Sequence, residues 1–256
     1  MHNAILYGFN AMYFACTLKN DLKNTFKNKT MNRYNPFNLI HKALRAMLYD
    51  AAITLQKTYF ANTEEAESVL EKVEDVLFMF ENHAHHEDSM VLPAVESYEP
   101  QLVEEFEKEH EEDLRLSNRL KNLLNIHRNI YFTEERIVCG SAIVKSFVEF
   151  MIFNLEHMAK EEVLINKALW EHYTDEQLIA LSQKIAASVP ADEAAIAFKW
   201  MLRGINNNEA VNWLISVKQN APVQAFESLI NLAEKELPEE RFSMIQELIN
   251  EDVVMA

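Results

Sequence analysis

The chain is poor in the residues that interrupt regular structure, with only 3 Gly and 6 Pro among its 256 residues. Folds built from many short strands need both residue types at their frequent turns. Their scarcity argues against such folds and predicts a chain that is almost entirely helical. Hydrophobic residues make up 49% of the sequence, which is enough for a sizeable core in one large domain or two small ones.

Cysteine and positive charge are also scarce. Cys16 and Cys139 are too few for a disulfide framework, so we expect a reducing compartment, the cytoplasm. The formal net charge of −16 argues against nucleic acid or an anionic membrane as a partner. We also expect no membrane-spanning segment, because no apolar run looks long enough to cross a bilayer.

Residues 1–34 differ from the remainder of the chain. They carry five basic residues and one acidic residue, a net charge of +4, so the remainder carries −20. The apolar stretch from Ala4 to Cys16 precedes the basic residues, whereas a signal peptide begins with them. We interpret residues 1–34 as a disordered leader or a non-native extension before a start at Met31. A weakly membrane-associating segment is the alternative.

Apolar residues spaced by three or four predict four long helices within residues 35–172. The expected bounds are about 36–60, 63–92, 100–127 and 133–170. Asn35, Asn62 and Thr133 are the expected N-caps of three of them, and Pro93 should end the second. Because the links are short, neighbouring helices should run antiparallel, so the predicted fold is an all-α, up-down four-helix bundle.

Residues 173–256 predict a smaller helical C-terminal region of unknown role. Thr174 and Gln177 form an expected capping box at its start. Further helices should break at Val189-Pro190, Gly204 to Asn208, Ala221-Pro222 and Leu237-Pro238. This region could pack on the bundle, form a second small domain or bind a protein partner.

Each of the four long helices carries a histidine in its apolar stripe, and two of them add a glutamate one turn later. These candidate metal ligands are His41, His83, Glu87, His110, His157 and Glu161. A carboxylate in a core is costly unless something compensates its charge. A metal ion would do so, since iron, zinc and manganese accept both imidazole and carboxylate. On any single helix, a histidine that simply fills a hydrogen-bonded core position is the simpler explanation. That explanation is weaker when each of the four helices carries such a histidine.

The other histidines are poorer candidates. His85 points away from the apolar stripe, and His86 is followed four residues later by Met90 rather than by a carboxylate. His2, His127 and His172 rank lower still. We interpret the glutamates from Glu104 to Glu112 mostly as a solvated helix face, with Glu107 nearest to the face of His110.

The order and spacing of these residues resemble the hemerythrin-like, or HHE cation-binding, family. The segments that carry the resemblance are NPFNLIH (35–41), HAHHED (83–88) with VLP (91–93), His110 with its acidic flanks, and HMAKEEVL (157–164). The resemblance covers about residues 35–172. It implies a four-helix bundle that holds two iron ions, joined by an oxo or hydroxo bridge, with Glu87 and Glu161 bridging the irons.

The chain departs from the oxygen-carrying branch of that family. Leu114 stands where the branch has a second histidine, and Glu161 follows His157 by four residues where the branch has an aspartate at five, the place of Glu162. The set of four His and two Glu is more similar to members that sense iron or repair iron–sulfur centres. The cysteine-containing N-terminal module of the repair proteins is absent. Ferritin-like bundles, which use Glu-x-x-His pairs and mostly carboxylates, fit less well.

The expected function is therefore that of a non-haem di-iron protein that binds or senses dioxygen, nitric oxide, peroxide or iron itself. The alternative is a di-iron enzyme or iron donor in nitric oxide or peroxide detoxification or in iron–sulfur cluster repair. Such an enzyme needs an electron source that the sequence does not reveal. A metal-free helical interaction scaffold is the further alternative.

Overall fold

The computed structural model describes residues 33–254, and this part of the chain is all-α, without a strand, as the sequence predicts. The predictions for residues 1–32 lie outside the described residues. We number the α-helices α1 Asn38–Lys57, α2 Thr63–His86, α3 Leu92–Glu96, α4 Pro100–Arg128, α5 Thr133–His172, α6 Asp175–Ser188, α7 Ala191–Gly204, α8 Asn207–Asn220, α9 Val223–Glu236 and α10 Glu239–Val254.

The starts of two long helices differ from the predicted ones. The side chain of Asn35 accepts from the backbone of Phe37 at 2.9 Å, so it stabilises a turn, and α1 begins only at Asn38. Thr133 is not an N-cap but the first residue of α5, because the carbonyl of Phe132 already accepts the first helical hydrogen bond, from Arg136 at 3.1 Å. The predicted cap of α2, Asn62, is confirmed.

Pro93 does not end the second helix as expected. Residues Glu87–Val91 form a π-helical turn after α2, and α3 then contains Pro93 in its first turn. The helical path is continuous here, because the N–H of Leu92 donates to the carbonyl of Glu87 across the π turn. Pro93 has no N–H and cannot make the next bond of this series. The chain therefore passes from π-helix to α-helix at the proline instead of ending there.

The four long helices share one core. α1 packs against α2 and α5, and α4 packs against the same two helices. Leu44, Val73, Leu120 and Phe150, one from each helix, are fully buried in this core. Burying a side chain of this size stabilises the fold by about 1.5–3 kcal/mol. The residues that make these helix–helix contacts belong to the apolar stripes that the sequence predicts.

The C-terminal helices pack on the long ones rather than standing apart. α7 lies on α1 and α2, and its Trp200 and Met201 join the core of the long helices. A second core, which includes Leu214, Leu229 and Ile245, holds α8–α10 together. The predicted capping box at Thr174 forms, and the predicted breaks separate the helices. The division into a bundle at 35–172 and a C-terminal region at 173–256 stays a prediction.

Helix α5 overturns the expectation that no apolar segment is long enough to cross a membrane. Within Thr133–His172, an 18-residue window reaches a mean hydropathy of 1.5, which meets the requirement for a span by length and composition. The core helix of a soluble protein meets the same requirement, and 39% of this window is buried within the described chain. The structure is compatible with a soluble protein.

Candidate metal centre

The six predicted ligands meet inside the four long helices. Five of the side chains are buried, and that of His83 is 10% exposed. The Nε2 atoms of His41 and His83 lie 3.1 Å apart, and those of His110 and His157 lie 3.2 Å apart. The apolar stripes place each histidine on an inner helix face, and the packing of the helices brings the four together.

The six residues form two groups that share both carboxylates. One group is His41, His83, Glu87 and Glu161, and the other is Glu87, His110, His157 and Glu161. Within each group, the potential ligand atoms all lie within 4.8 Å of one another. These residues could therefore hold a metal ion, and both carboxylates belong to each of the two groups.

In each shared carboxylate, one oxygen faces a histidine of the first group and the other oxygen faces a histidine of the second group. Glu87 Oε1 lies 3.0 Å from His83 Nε2, whereas its Oε2 lies 3.4 Å from His110 Nε2. Glu161 Oε1 lies 3.1 Å from His157 Nε2, and its Oε2 lies 3.4 Å from His41 Nε2. Each of the two carboxylates therefore faces histidines of both groups.

The hydrogen bonding of the site also fits a metal. Both carboxylate oxygens of Glu87 and Oε2 of Glu161 are buried without a hydrogen-bond partner, although imidazole nitrogens lie 3.0–3.4 Å from them. Leaving a buried carboxylate unsatisfied is costly. Ligand atoms bound at right angles to one metal, at bond lengths of about 2.1 Å, lie about 3 Å apart. The separations in this site match that spacing.

Three of the four imidazoles have a carboxylate at their other ring nitrogen. The pairs are His41 Nδ1 with Glu162 at 3.0 Å, His110 Nδ1 with Asp88 at 2.6 Å, and His157 Nδ1 with Glu109 at 2.7 Å. When Nδ1–H donates to a carboxylate, the ring is held in one orientation and Nε2 keeps a free lone pair. The three carboxylates thus present Nε2 towards the centre of the site.

These three carboxylates were missed or misjudged from the sequence. Glu109 was assigned to a solvated face, but its side chain is only 16% exposed because it packs against His157. Glu162 was noted only as the position where the oxygen-carrying branch has its aspartate, and Asp88 was not singled out. The available signal was adjacency: each of the three lies next to a predicted ligand in the sequence but orients a histidine on another helix.

The surrounding charges raise the pKa of three imidazoles. Burial lowers the pKa of His110, but the hydrogen bond to Asp88 and the nearby carboxylate of Glu87 outweigh burial and raise this pKa to about 10. Burial also lowers the pKa of His157, but Glu109 and Glu161 outweigh burial and raise this pKa to about 9. The pKa of His41 is also raised for the same reasons. The acidic site therefore attracts cations, protons included.

The carboxyl groups shift in the opposite direction. Burial favours a raised pKa for Glu87, but the charge on His83 and the nearby imidazoles of His110 and His41 prevail and hold this pKa well below its usual value. A hydrogen bond from His157 lowers the pKa of Glu109 to about 2. These carboxylates remain ionised over the physiological pH range, as metal ligands and their supporting groups must.

Metal affinity should consequently keep rising with pH well above the usual titration range of histidine. A metal that binds Nε2 must displace the protons that the raised pKa values of His110 and His157 retain. We expect the apparent affinity for Zn²⁺ or Fe²⁺ to increase up to about pH 9–10, with proton release on binding, measured by calorimetry in buffers of different ionisation enthalpy. An affinity that levels off near pH 6.5 would contradict this account of the site.

The remaining histidines of the described chain lie outside both groups. His86 pairs with Glu193 of α7 at 2.9 Å, His127 packs edge-on against Phe60, and His172 stacks on Tyr98. Cys139 is buried beside the carbonyl of Leu123, near the start of α5, far along the helix from His157. Within residues 33–254, no thiolate therefore joins the donor set of imidazoles and carboxylates.

Comparison with known proteins finds no match for this chain. No protein-family model matches the chain, and neither a curated protein nor a solved structure does. The structure itself is therefore what supports a buried His/Glu group that could hold a metal ion.

Proposed function

We propose that this protein is a hemerythrin-like di-iron protein, in which α1, α2, α4 and α5 form an up-down bundle around two iron ions. The single observation that carries the proposal is the sharing of Glu87 and Glu161 by two separate histidine pairs. One metal would explain one group, whereas two shared carboxylates favour a pair of ions. The four histidines and two glutamates named from the sequence are the proposed ligands.

The donor set favours iron over softer metals. Imidazole and carboxylate ligands without thiolate suit iron, zinc or manganese, and geometry and supply choose among them. The resemblance of the ligand segments to hemerythrin-like proteins favours iron. A pair of iron ions would provide redox chemistry and a place for dioxygen, nitric oxide or peroxide to bind.

The protein's own residues would tune and protect such a centre. Asp88, Glu109 and Glu162 orient three imidazoles and keep their Nδ1 protons in place. Aromatic rings restrict water around the same histidines, because Phe37 packs on His41 and Phe153 stacks on His157. Such a dry and rigid environment supports reversible binding of a small ligand, which is the function that we propose, in the cytoplasm.

Metal analysis combined with ligand titration tests the proposal. Protein purified aerobically should contain about two iron ions per chain and absorb in the near ultraviolet as oxo-bridged di-iron does. The reduced, iron-loaded protein should bind about one equivalent of dioxygen or nitric oxide and then stop. Continued consumption of peroxide or nitric oxide would favour the enzyme alternative, and a metal-free chain would favour the scaffold.

A pair of matched variants makes this experiment specific. His83→Gln removes a proposed ligand, whereas His85→Gln changes an exposed histidine two residues away on α2. The first variant should lose iron and the near-ultraviolet absorption, and the second should keep both. Equal iron content in the two variants would reject the ligand assignment while leaving the fold untouched.

A further inference from the structure

The C-terminal region is a repeat of one 16-residue unit. Helices α6 to α10 begin at residues 175, 191, 207, 223 and 239, a constant interval of 16 residues. Two residues separate each helix from the next. A fixed period of this kind indicates one helical unit that is copied along the chain.

The side chains and backbone follow the same period. Counting from Tyr173, the first, sixth, ninth and thirteenth positions of the unit are apolar in all five copies. These residues are Tyr173, Leu178, Leu181 and Ile185; Val189, Ala194, Ala197 and Met201; Ile205, Ala210, Trp213 and Val217; Ala221, Phe226, Leu229 and Ala233; and Leu237, Phe242, Ile245 and Ile249. In every copy, the N–H of the sixth residue donates to the carbonyl of the second.

The last four units pack as a short solenoid. α7 packs against α9, and α8 packs against α10, so alternate helices stack on one another, whereas α6 contacts the π turn at Glu87–Val91. Stacked repeats of this kind bury a continuous core between neighbours. We call residues 173–252 the repeat array.

The repeat array contacts α1 on both sides of the proposed ligand His41. Asn38 donates to Glu209 Oε1 at 2.9 Å, and Lys42 forms an ion pair with the same oxygen. Glu209 belongs to the capping box that begins α8, where its other oxygen accepts from the backbone of Asn206. The start of α8 is thereby tied to the helical turn that carries His41.

Close backbone packing supports the same contact. Gly204 ends α7 against α1, and a Cβ at this position would lie 2.5 Å from the carbonyl oxygen of Lys42. Any larger residue would have to push α7 away from α1. The absence of a side chain at residue 204 therefore permits the approach of the array to the residue beside His41.

A second contact lies beside the proposed ligand Glu87. His86, the last residue of α2, pairs with Glu193 of α7 at 2.9 Å, and Glu193 is only 4% exposed. A buried carboxylate is costly when its partner is removed. The pair is therefore maintained only while α7 stays docked against the end of α2, where the π turn begins.

We infer that the repeat array is latched to the bundle through the metal centre, so that loading the centre with metal and docking the array stabilise each other. The inference rests on the proposed function. A metal ion would hold the turn of His41 and the start of the π turn at Glu87 in one arrangement. These are the places where the array docks through Glu209, Gly204 and Glu193. The array is then the part of the protein that responds to the state of the centre.

Hydrogen exchange on the full chain, with and without anaerobic Fe²⁺, tests the latch. Iron should slow amide exchange several-fold in α7 and α8 as well as around His41 and Glu87, because docking of the array becomes more favourable. Coupling between sites is reciprocal, so a weakened latch must weaken iron binding. Glu209→Gln can keep the capping box but loses the charge that faces Lys42, and it should lower Fe²⁺ affinity by about fivefold.

Two further variants complete the experiment. Gly204→Ala should lower Fe²⁺ affinity more than Glu209→Gln does, whereas Glu227→Gln, on an exposed part of α9, should bind iron as the wild type does. Iron binding that is equal in all variants, with no change of exchange in α7 and α8, would overturn the latch but leave the proposed function intact. A wild-type chain that binds no Fe²⁺ would overturn both.

Discussion

Replacing Glu87 by Gln should lower bound iron from about two ions per chain to fewer than one and abolish the near-ultraviolet absorption of the pair. Glu87 directs one oxygen to each side of the site, so its loss removes a donor from both groups at once. A neutral amide keeps the size of the side chain but is a poor bridging ligand. Metal analysis and absorption spectra of the purified variant measure the effect.

The control for this variant is Glu107→Gln, which removes the same charge from an exposed position of α4. It should retain full iron content, which would show that the overall negative charge of the chain is not what binds iron. The corresponding Glu161→Gln variant should behave as Glu87→Gln does, because Glu161 is the other shared carboxylate. Normal iron content in both glutamine variants would refute the proposed centre.

Removing the metal should lower the melting temperature of the wild-type protein by roughly 10 °C. A metal present at about 1,000 times its Kd stabilises the folded chain by about 4 kcal/mol, and each kcal/mol shifts the midpoint of a chain of this size by about 2–4 °C. The molecular cause is the cluster of buried carboxylate oxygens, which lose the metal and keep only nearby imidazoles as compensating groups. Thermal denaturation before and after chelation and dialysis measures the shift.

The pH dependence of the metal-free protein provides an internal check. The raised pKa values of His110 and His157 contribute stability that is complete below about pH 6.5 and is lost as pH rises through about 9 and 10. The metal-free chain should therefore have a lower melting temperature at pH 10 than at pH 7, and the difference in melting temperature from the metal-loaded chain should widen.

The melting temperature of the Glu87→Gln variant should respond little to the chelator. An equal response in variant and wild type would place the stabilising metal elsewhere.

The sequence alone was sufficient to predict the class of fold and the residues that face the core. Apolar spacing of three or four residues predicted the long helices, because that spacing places side chains on one face of a helix. The same periodicity placed His41, His83, Glu87, His110, His157 and Glu161 on the inner faces. The cap at Asn62 and the capping box at Thr174 were also predictable, since they depend on residues close in the sequence.

Only the tertiary structure decided which groups meet across helices. Asp88, Glu109 and Glu162 each orient a histidine on another helix, and that pairing depends on the depth and rotation at which the helices pack. The π turn at Glu87–Val91 likewise arises where Pro93 must be accommodated without ending the packed helix. Local periodicity specifies the face of a helix, but distances between helices come from the packing of the whole core.

The same division applies to the C-terminal region. Its 16-residue period is a property of the sequence. Amphipathic spacing alone, however, does not distinguish a repeat array from a set of unrelated short helices. The packing of alternate helices and the contacts of Glu193, Gly204 and Glu209 beside the proposed ligands appear only in the folded chain. Local sequence therefore determined the helices and their inner faces, whereas long-range packing decided how the site is assembled and what it touches.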